Sequence, residues 1–428
     1  MTATSSALPK EAAPSPALAP PPGNPRFALF DSLRGLAAVC ILVFHVSAVT
    51  GLLLKPVVGD AIVVLGPNSL ILFFAISGFL LYRPFAAGTA GIGRSPGVPR
   101  YLRRRVLRIV PAYWVALTVL AIFPGIVGVF TEDWWRYYFF LQLYSSETLA
   151  GGIPVAWSLC VEVSFYLLLP VWALGIRRLA TRAGPQAWLK AELVPLAAVA
   201  TAAVLVQVLA QRNVVSDIVA TSLAGQLVWL AVGMALAVAS VATQRAGGSG
   251  RLVRIVCERP ELCWAGAALA FVGLVVVTEP EGLTGIVQTL SERQPIPKTL
   301  GSIALSAAMA SLVLLPAIFG ENAGGLPRRV LASRALTWLG VISYGLFLWH
   351  LPVAHFLALP EDPFRFSASG LDLMAQLPHA TTAILVALTL AVTCVFAAAS
   401  YYLVELPFLR LKETARPGAP IGPGSGAA

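Results

Sequence analysis

Apolar stretches long enough to cross a lipid bilayer recur along this chain from Phe30 almost to its end. One crossing takes about 20 residues of helix. Candidate stretches lie at about 30–52, 61–82, 107–128, 156–177, 191–210, 217–241, 261–279, 299–319, 335–357 and 379–407. The expected fold is therefore all-α: a polytopic transmembrane helix bundle of about ten spans. Composition agrees, since 57% of the 428 residues are hydrophobic and 12% are charged, roughly half the charge of a soluble domain. The spans leave no room for a separate soluble domain. Residues 1–26 are rich in Ala, Pro and Ser and lack the apolar centre of a signal peptide, so they are read as a disordered cytoplasmic tail. Residues 27–410 form the membrane domain, and 411–428 are read as a second cytoplasmic tail. The aromatic segment from Trp134 to Tyr144 is too short to span and is expected to lie at the interface as a helix.

Orientation follows from the basic residues. With the N-terminus in the cytoplasm, all but six of the 30 lysines and arginines fall on that side. The outer loops keep Lys55, Arg136, Arg212, Arg293, Lys298 and Arg365. Basic residues accumulate in cytoplasmic loops, so both termini are expected inside. The net charge of +10 is then a consequence of topology, and no nucleic-acid partner is needed to explain it. The five cysteines are scattered, without metal spacing, so no metal site is expected.

The first stretch carries a histidine where hydrocarbon should be. His45 is the tenth residue of the run Leu36–Leu54, near the bilayer midplane, and Arg34 lies at its cytoplasmic edge. The two are eleven residues apart, about 20° past three full helical turns, so they share a face about 16 Å apart along the axis. Asp31 is one turn before Arg34. An ionisable group at that depth normally faces a cavity or the bundle interior. A structural histidine bonding a neighbouring helix is the plain alternative.

Other polar groups recur in the spans. Ser77 and Gly78 form a small pair in the second stretch, followed by Arg83. Arg105 and Arg108 open the third, one turn apart, where guanidinium forks would suit a nucleotide phosphate or merely flank a helix end. Ser158, Glu162 and Tyr166 repeat every four residues along the fourth. Glu162 comes close to the depth of His45, where a carboxylate would fix the imidazole tautomer. Ser343 and His350 share a face of the ninth. Glu405 falls at the depth of Arg34 and Arg108, as an ion pair would require, and His355 and His379 are read as structural.

Taken in order, these segments resemble the acyltransferase-3 family of bacterial membrane O-acyltransferases, from about Phe30 to Arg410. The most specific match is Arg34 and His45 with ten residues between them. Ser77-Gly78-Phe79, Arg105 through Trp114, Trp157 through Tyr166, Ser343 through Val353 and Glu405 through Arg410 support it. The resemblance implies essential roles for Arg34 and His45 and a cytoplasmic acyl-CoA co-substrate, with acetyl-CoA as the default. It also implies a donor site drawing on Ser77, Gly78, Arg83, Arg105, Arg108, Tyr113, Trp157, Ser158 and His350. Two departures matter: Val163 stands where the family often has a second glutamate, and Phe347 where tyrosine is common. Some members carry a fused extracytoplasmic hydrolase-like domain, for which this chain is expected to be too short.

The expected enzyme sits in the bacterial cell membrane. It moves an acyl group from acyl-CoA to a hydroxyl of a glycan, lipid-linked sugar or secondary metabolite. His45 serves as general base or acyl carrier, with Glu162 or Asp31 orienting it. The rival reading is a proton-coupled transporter of a small polar solute, which buried His and Glu would also suit. No inverted repeat or matching pair of broken helices supports it.

Overall fold

A computed structural model describes residues 27–149, 151–184, 186–247, 250–279, 293–320, 325–358 and 379–411. Both expected tails lie outside the described residues, apart from Leu411. Helices run in the order α1 (Leu29–Val49), α2 (Val58–Thr89), α3 (Val98–Ile122), α4 (Trp134–Tyr138), α5 (Trp157–Ala183) and α6 (Trp188–Ala210). Then come α7 (Asp217–Thr221), α8 (Leu223–Arg245), α9 (Arg251–Glu258), α10 (Pro260–Thr278), α11 (Ile296–Phe319), α12 (Leu326–Leu331) and α13 (Arg334–Val341). Last are α14 (Ser343–Ala358), α15 (His379–Ala399), a π-helical turn (Ser400–Glu405) and α16 (Leu406–Arg410). No strand occurs among the described residues. Nine of these segments are long and apolar enough to cross a membrane, or ten if one bent pair is a single span.

The bent pair corrects the ninth expected span. α13 and α14 meet at 77° around Ile342. α13 packs tightly on α1 at Gly340, where an added Cβ would stand 1.8 Å from the Asp31 carbonyl oxygen. Backbone contact with the start of α1 thus pins α13. The Ser343 hydroxyl caps the break by donating to the Gly340 carbonyl at 2.8 Å. The aromatic segment is also shorter than expected, a five-residue α4 followed by a 3-10 turn at Gln142–Tyr144. Its backbone is held from α3: Tyr113 donates to the Tyr137 carbonyl at 2.9 Å and Trp114 to the Tyr138 carbonyl at 2.8 Å.

Within the spans, polar side chains bond back into their own helices, because hydrocarbon offers no partner. Asn68 donates to Val64 and Ser69 to Leu65, both at 2.8 Å. Between helices, small residues allow close approach. α2 lies directly on α8, where a Cβ at Gly78 would sit 2.2 Å from the Leu230 oxygen and one at Gly233 would sit 1.9 Å from the Ala75 oxygen.

This contact generates a test. Overpacking a tight interior costs about 1–3 kcal/mol. Gly233→Val is expected to lower the melting temperature of the detergent-purified protein by several degrees. Gly175→Ala, on α5 with nothing within 4 Å, is expected to leave it unchanged.

Candidate functional site

α1 bears Arg34 and His45 on one face, as the spacing requires, but they open into different cavities. One, of about 540 Å³, is lined by His45 together with Phe44, Gly66, Trp157, Trp229 and several amide and hydroxyl side chains. Those polar groups sit at helix ends: Gln207 and Gln211 at the end of α6, Gln226 at the start of α8, Thr278 at the end of α10, and Lys298, Thr299 and Ser302 at the start of α11. The opposite ends of α8 and α10 carry Arg245 and Arg259. Lys298 is the sole charged residue among the lining residues. At the rim, the Arg293 guanidinium donates to Asp217 Oδ1 at 2.7 Å and Asn213 Oδ1 at 2.8 Å. The backbone N–H of Gln294 donates to Gln211 Oε1 at 2.9 Å.

The second cavity, of about 170 Å³, is lined by Arg34, Arg105, Arg108, Ser77, Glu162, Tyr166, Ser343 and Tyr344 among others. Three guanidinium groups face one carboxylate there, leaving an excess of positive charge. Arg105 lies over the Tyr166 ring at 5.9 Å, and its Nε is buried without a hydrogen-bond partner. Leu70, Phe74, Ser158 and Phe347 line both cavities and form the wall between them.

The imidazole of His45 is held from behind. Its Nδ1 lies 3.0 Å from the Ile41 carbonyl oxygen and 3.1 Å from Nε2 of His350. His350 is buried, and its own Nδ1 lies 3.0 Å from the Leu346 oxygen and 2.9 Å from the Phe347 oxygen.

Of the expected site residues, Arg34, Ser77, Arg105, Arg108, Ser158 and Glu162 converge on the arginine cavity, and His45, Trp157 and Ser158 on the larger one. Seven readings are corrected. Glu162 does not touch His45; it accepts a 2.6 Å bond from the Ser77 hydroxyl, because α5 turns it toward the arginines. Asp31 lies fourteen residues down α1 from His45, about 21 Å along the axis, too far to orient the ring. Gly78 serves the α2–α8 contact. Arg83 is buried under the Phe27 ring and donates to Ser240 at 3.1 Å and Gln244 at 2.6 Å. Tyr113 is buried against Phe140 and holds the α4 backbone. His350 lines neither cavity and stands behind His45 instead. Glu405 forms no ion pair within 4 Å with Arg34 or Arg108, and its Oε1 is buried without a partner.

The sequence reading missed the glutamines of the larger cavity. Gln207 and Gln211 are one turn apart in or beside an apolar run, a signal of the same kind as Ser158 and Glu162. It also missed Glu192, which is buried and accepts a hydrogen bond from the Tyr82 hydroxyl.

Comparison with known proteins places the chain. The acyltransferase-3 family model, described as an acyltransferase domain, matches residues 27–398. Peptidoglycan O-acetyltransferase OatA of Listeria monocytogenes is 22% identical over 360 residues, covering 76% of this chain and 48% of that protein. The chain thus spans about half the length of that relative. No solved structure matches.

The Ser77–Glu162 bond is open to measurement. A hydrogen bond to a charged group contributes about 1.5–3 kcal/mol. Ser77→Ala is expected to destabilise the detergent-solubilised protein by that order in thermal melts. Ser158→Ala, which loses a 3.1 Å bond to the Val155 carbonyl, is expected to cost less.

Proposed function

This chain belongs to the acyltransferase-3 family, and from that premise we propose that it is a membrane O-acyltransferase. It moves an acyl group, acetyl by default, from cytoplasmic acyl-CoA to a hydroxyl of a carbohydrate acceptor. The reading rests on one observation: His45 and the three arginines line separate cavities that share a single wall. Excess positive charge in the arginine cavity suits the phosphates of the donor. At about 170 Å³ this cavity takes only part of a CoA molecule. To bring the thioester to His45, the pantetheine arm passes the wall at Phe74 and Phe347.

The larger cavity suits a polyol. Trp157 and Trp229 offer flat apolar faces; the Thr278, Thr299 and Ser302 hydroxyls donate to nearby carbonyls and keep acceptor lone pairs, and Gln207 and Gln226 each keep a second amide N–H. The printed name of the Listeria relative, a peptidoglycan O-acetyltransferase, supports a cell-envelope glycan. With the arginine-rich ends in the cytoplasm, the acceptor enters from the outer face of the cell membrane.

His45 is the general base. It takes the proton of the acceptor hydroxyl as the oxygen bonds to the acyl carbon. The thioester C–S bond breaks, and the proton passes to the departing CoA thiolate to give the free thiol. General bases contribute about 100- to 10,000-fold to rate. His45→Ala is therefore expected to lower thiol release from acetyl-CoA, measured in membranes, by at least about 100-fold. It should also abolish O-acetylation of envelope glycans detected by mass spectrometry. Full activity in this variant would overturn the reading. Arg105→Gln is expected to raise KM for acetyl-CoA about tenfold, the effect of one charge-assisted bond. Arg83→Gln should leave that KM unchanged, since Arg83 is turned toward α8.

A further inference from the structure

His350 lines neither cavity, yet it touches the imidazole of His45. Its hydrogen bonds fix the protons of both rings. Nδ1 of His350 faces two carbonyl oxygens, Leu346 at 3.0 Å and Phe347 at 2.9 Å. Carbonyls only accept, so this nitrogen carries the proton. In the neutral ring Nε2 is then an acceptor. It lies 3.1 Å from Nδ1 of His45, which must supply the hydrogen. The same Nδ1 also faces the Ile41 oxygen at 3.0 Å, again an acceptor. Both contacts require the proton of His45 on Nδ1, which leaves its Nε2 bare.

We propose that His350 is a positioning residue that holds His45 in the Nδ1-protonated tautomer, so that Nε2 meets the acceptor hydroxyl as a free base. The Ile41 carbonyl alone is a weaker guide, because it already accepts the helical bond from the His45 backbone N–H. His350 offers an otherwise unused lone pair. When His45 takes the hydroxyl proton it becomes an imidazolium with two N–H groups. The one on Nδ1 still points at His350, whose opposite nitrogen is anchored on two carbonyls. The neutral ring thus takes the place that a carboxylate holds in a serine hydrolase triad, orienting the base and stabilising its charged form. This inference rests on the acyltransferase reading for the purpose of the tautomer, though not for its existence.

The chain has four histidines, few enough to resolve one by one. The full-length protein, labelled with 15N-histidine in lipid nanodiscs, is assigned by single His→Gln substitutions at the other positions. The 15N shifts are expected to show His45 and His350 each protonated on Nδ1. In His350→Phe, which keeps a ring but no acceptor, the His45 signals are expected to average over both tautomers. The kcat for acetyl-CoA consumption should fall about tenfold or more, with KM for acetyl-CoA unchanged. His350→Gln returns an acceptor oxygen and should restore a single tautomer and part of kcat. A wild-type His45 protonated on Nε2 would overturn the proposal, and that spectrum needs no variant to fold. So would a His350→Phe protein with unaltered tautomer and kcat. If His45→Ala kept its activity while the wild-type spectrum was as stated, the acyltransferase mechanism would fall and the tautomer assignment would stand.

Discussion

Hydrocarbon supplies no hydrogen-bond partner, and this one condition shapes most of what is polar in the structure. Ser69, Asn68 and Ser164 turn back onto carbonyls four residues earlier. Arg83 finds Ser240 and Gln244, Tyr82 finds Glu192, and the half-buried His45 finds the buried His350. Two cavities gather polar side chains from several helices, one around Arg34, Arg105 and Arg108 and one around Gln207, Gln211 and Gln226.

The bundle was legible because a span announces itself through length and apolarity alone. Its interruption at Ile342 was not: the run 335–357 is continuous in hydropathy, and the bend accompanies a long-range backbone contact between Gly340 and Asp31, which no local pattern encodes. The shared face of Arg34 and His45 followed from helical geometry. That they line different cavities depends on Phe74 and Phe347, contributed by α2 and α14.

Counting along the helices put Glu162 near the depth of His45, but it lies in the cavity of Arg34, Arg105 and Arg108, because counting says nothing about which neighbour a helix face meets. Glu162 turns to Ser77, while His45 turns to His350, 305 residues away in sequence. The resemblance drew Arg83 and Tyr113 into the donor site, and both prove to be structural ties between helices. The glutamines carried the same one-turn signal as the Ser158 stripe and were passed over because they stand in or beside otherwise featureless apolar runs.

The bend between α13 and α14 gives one short helix several attachments. α14 begins with Ser343 in the arginine cavity, carries Phe347 in the dividing wall, and holds His350 against His45. Its near end is anchored through α13 to the first turn of α1, a few residues from Arg34. The helix therefore joins the arginine cluster to the histidine pair as one rigid piece, and any tilt of it would shift Phe347 and His350 together.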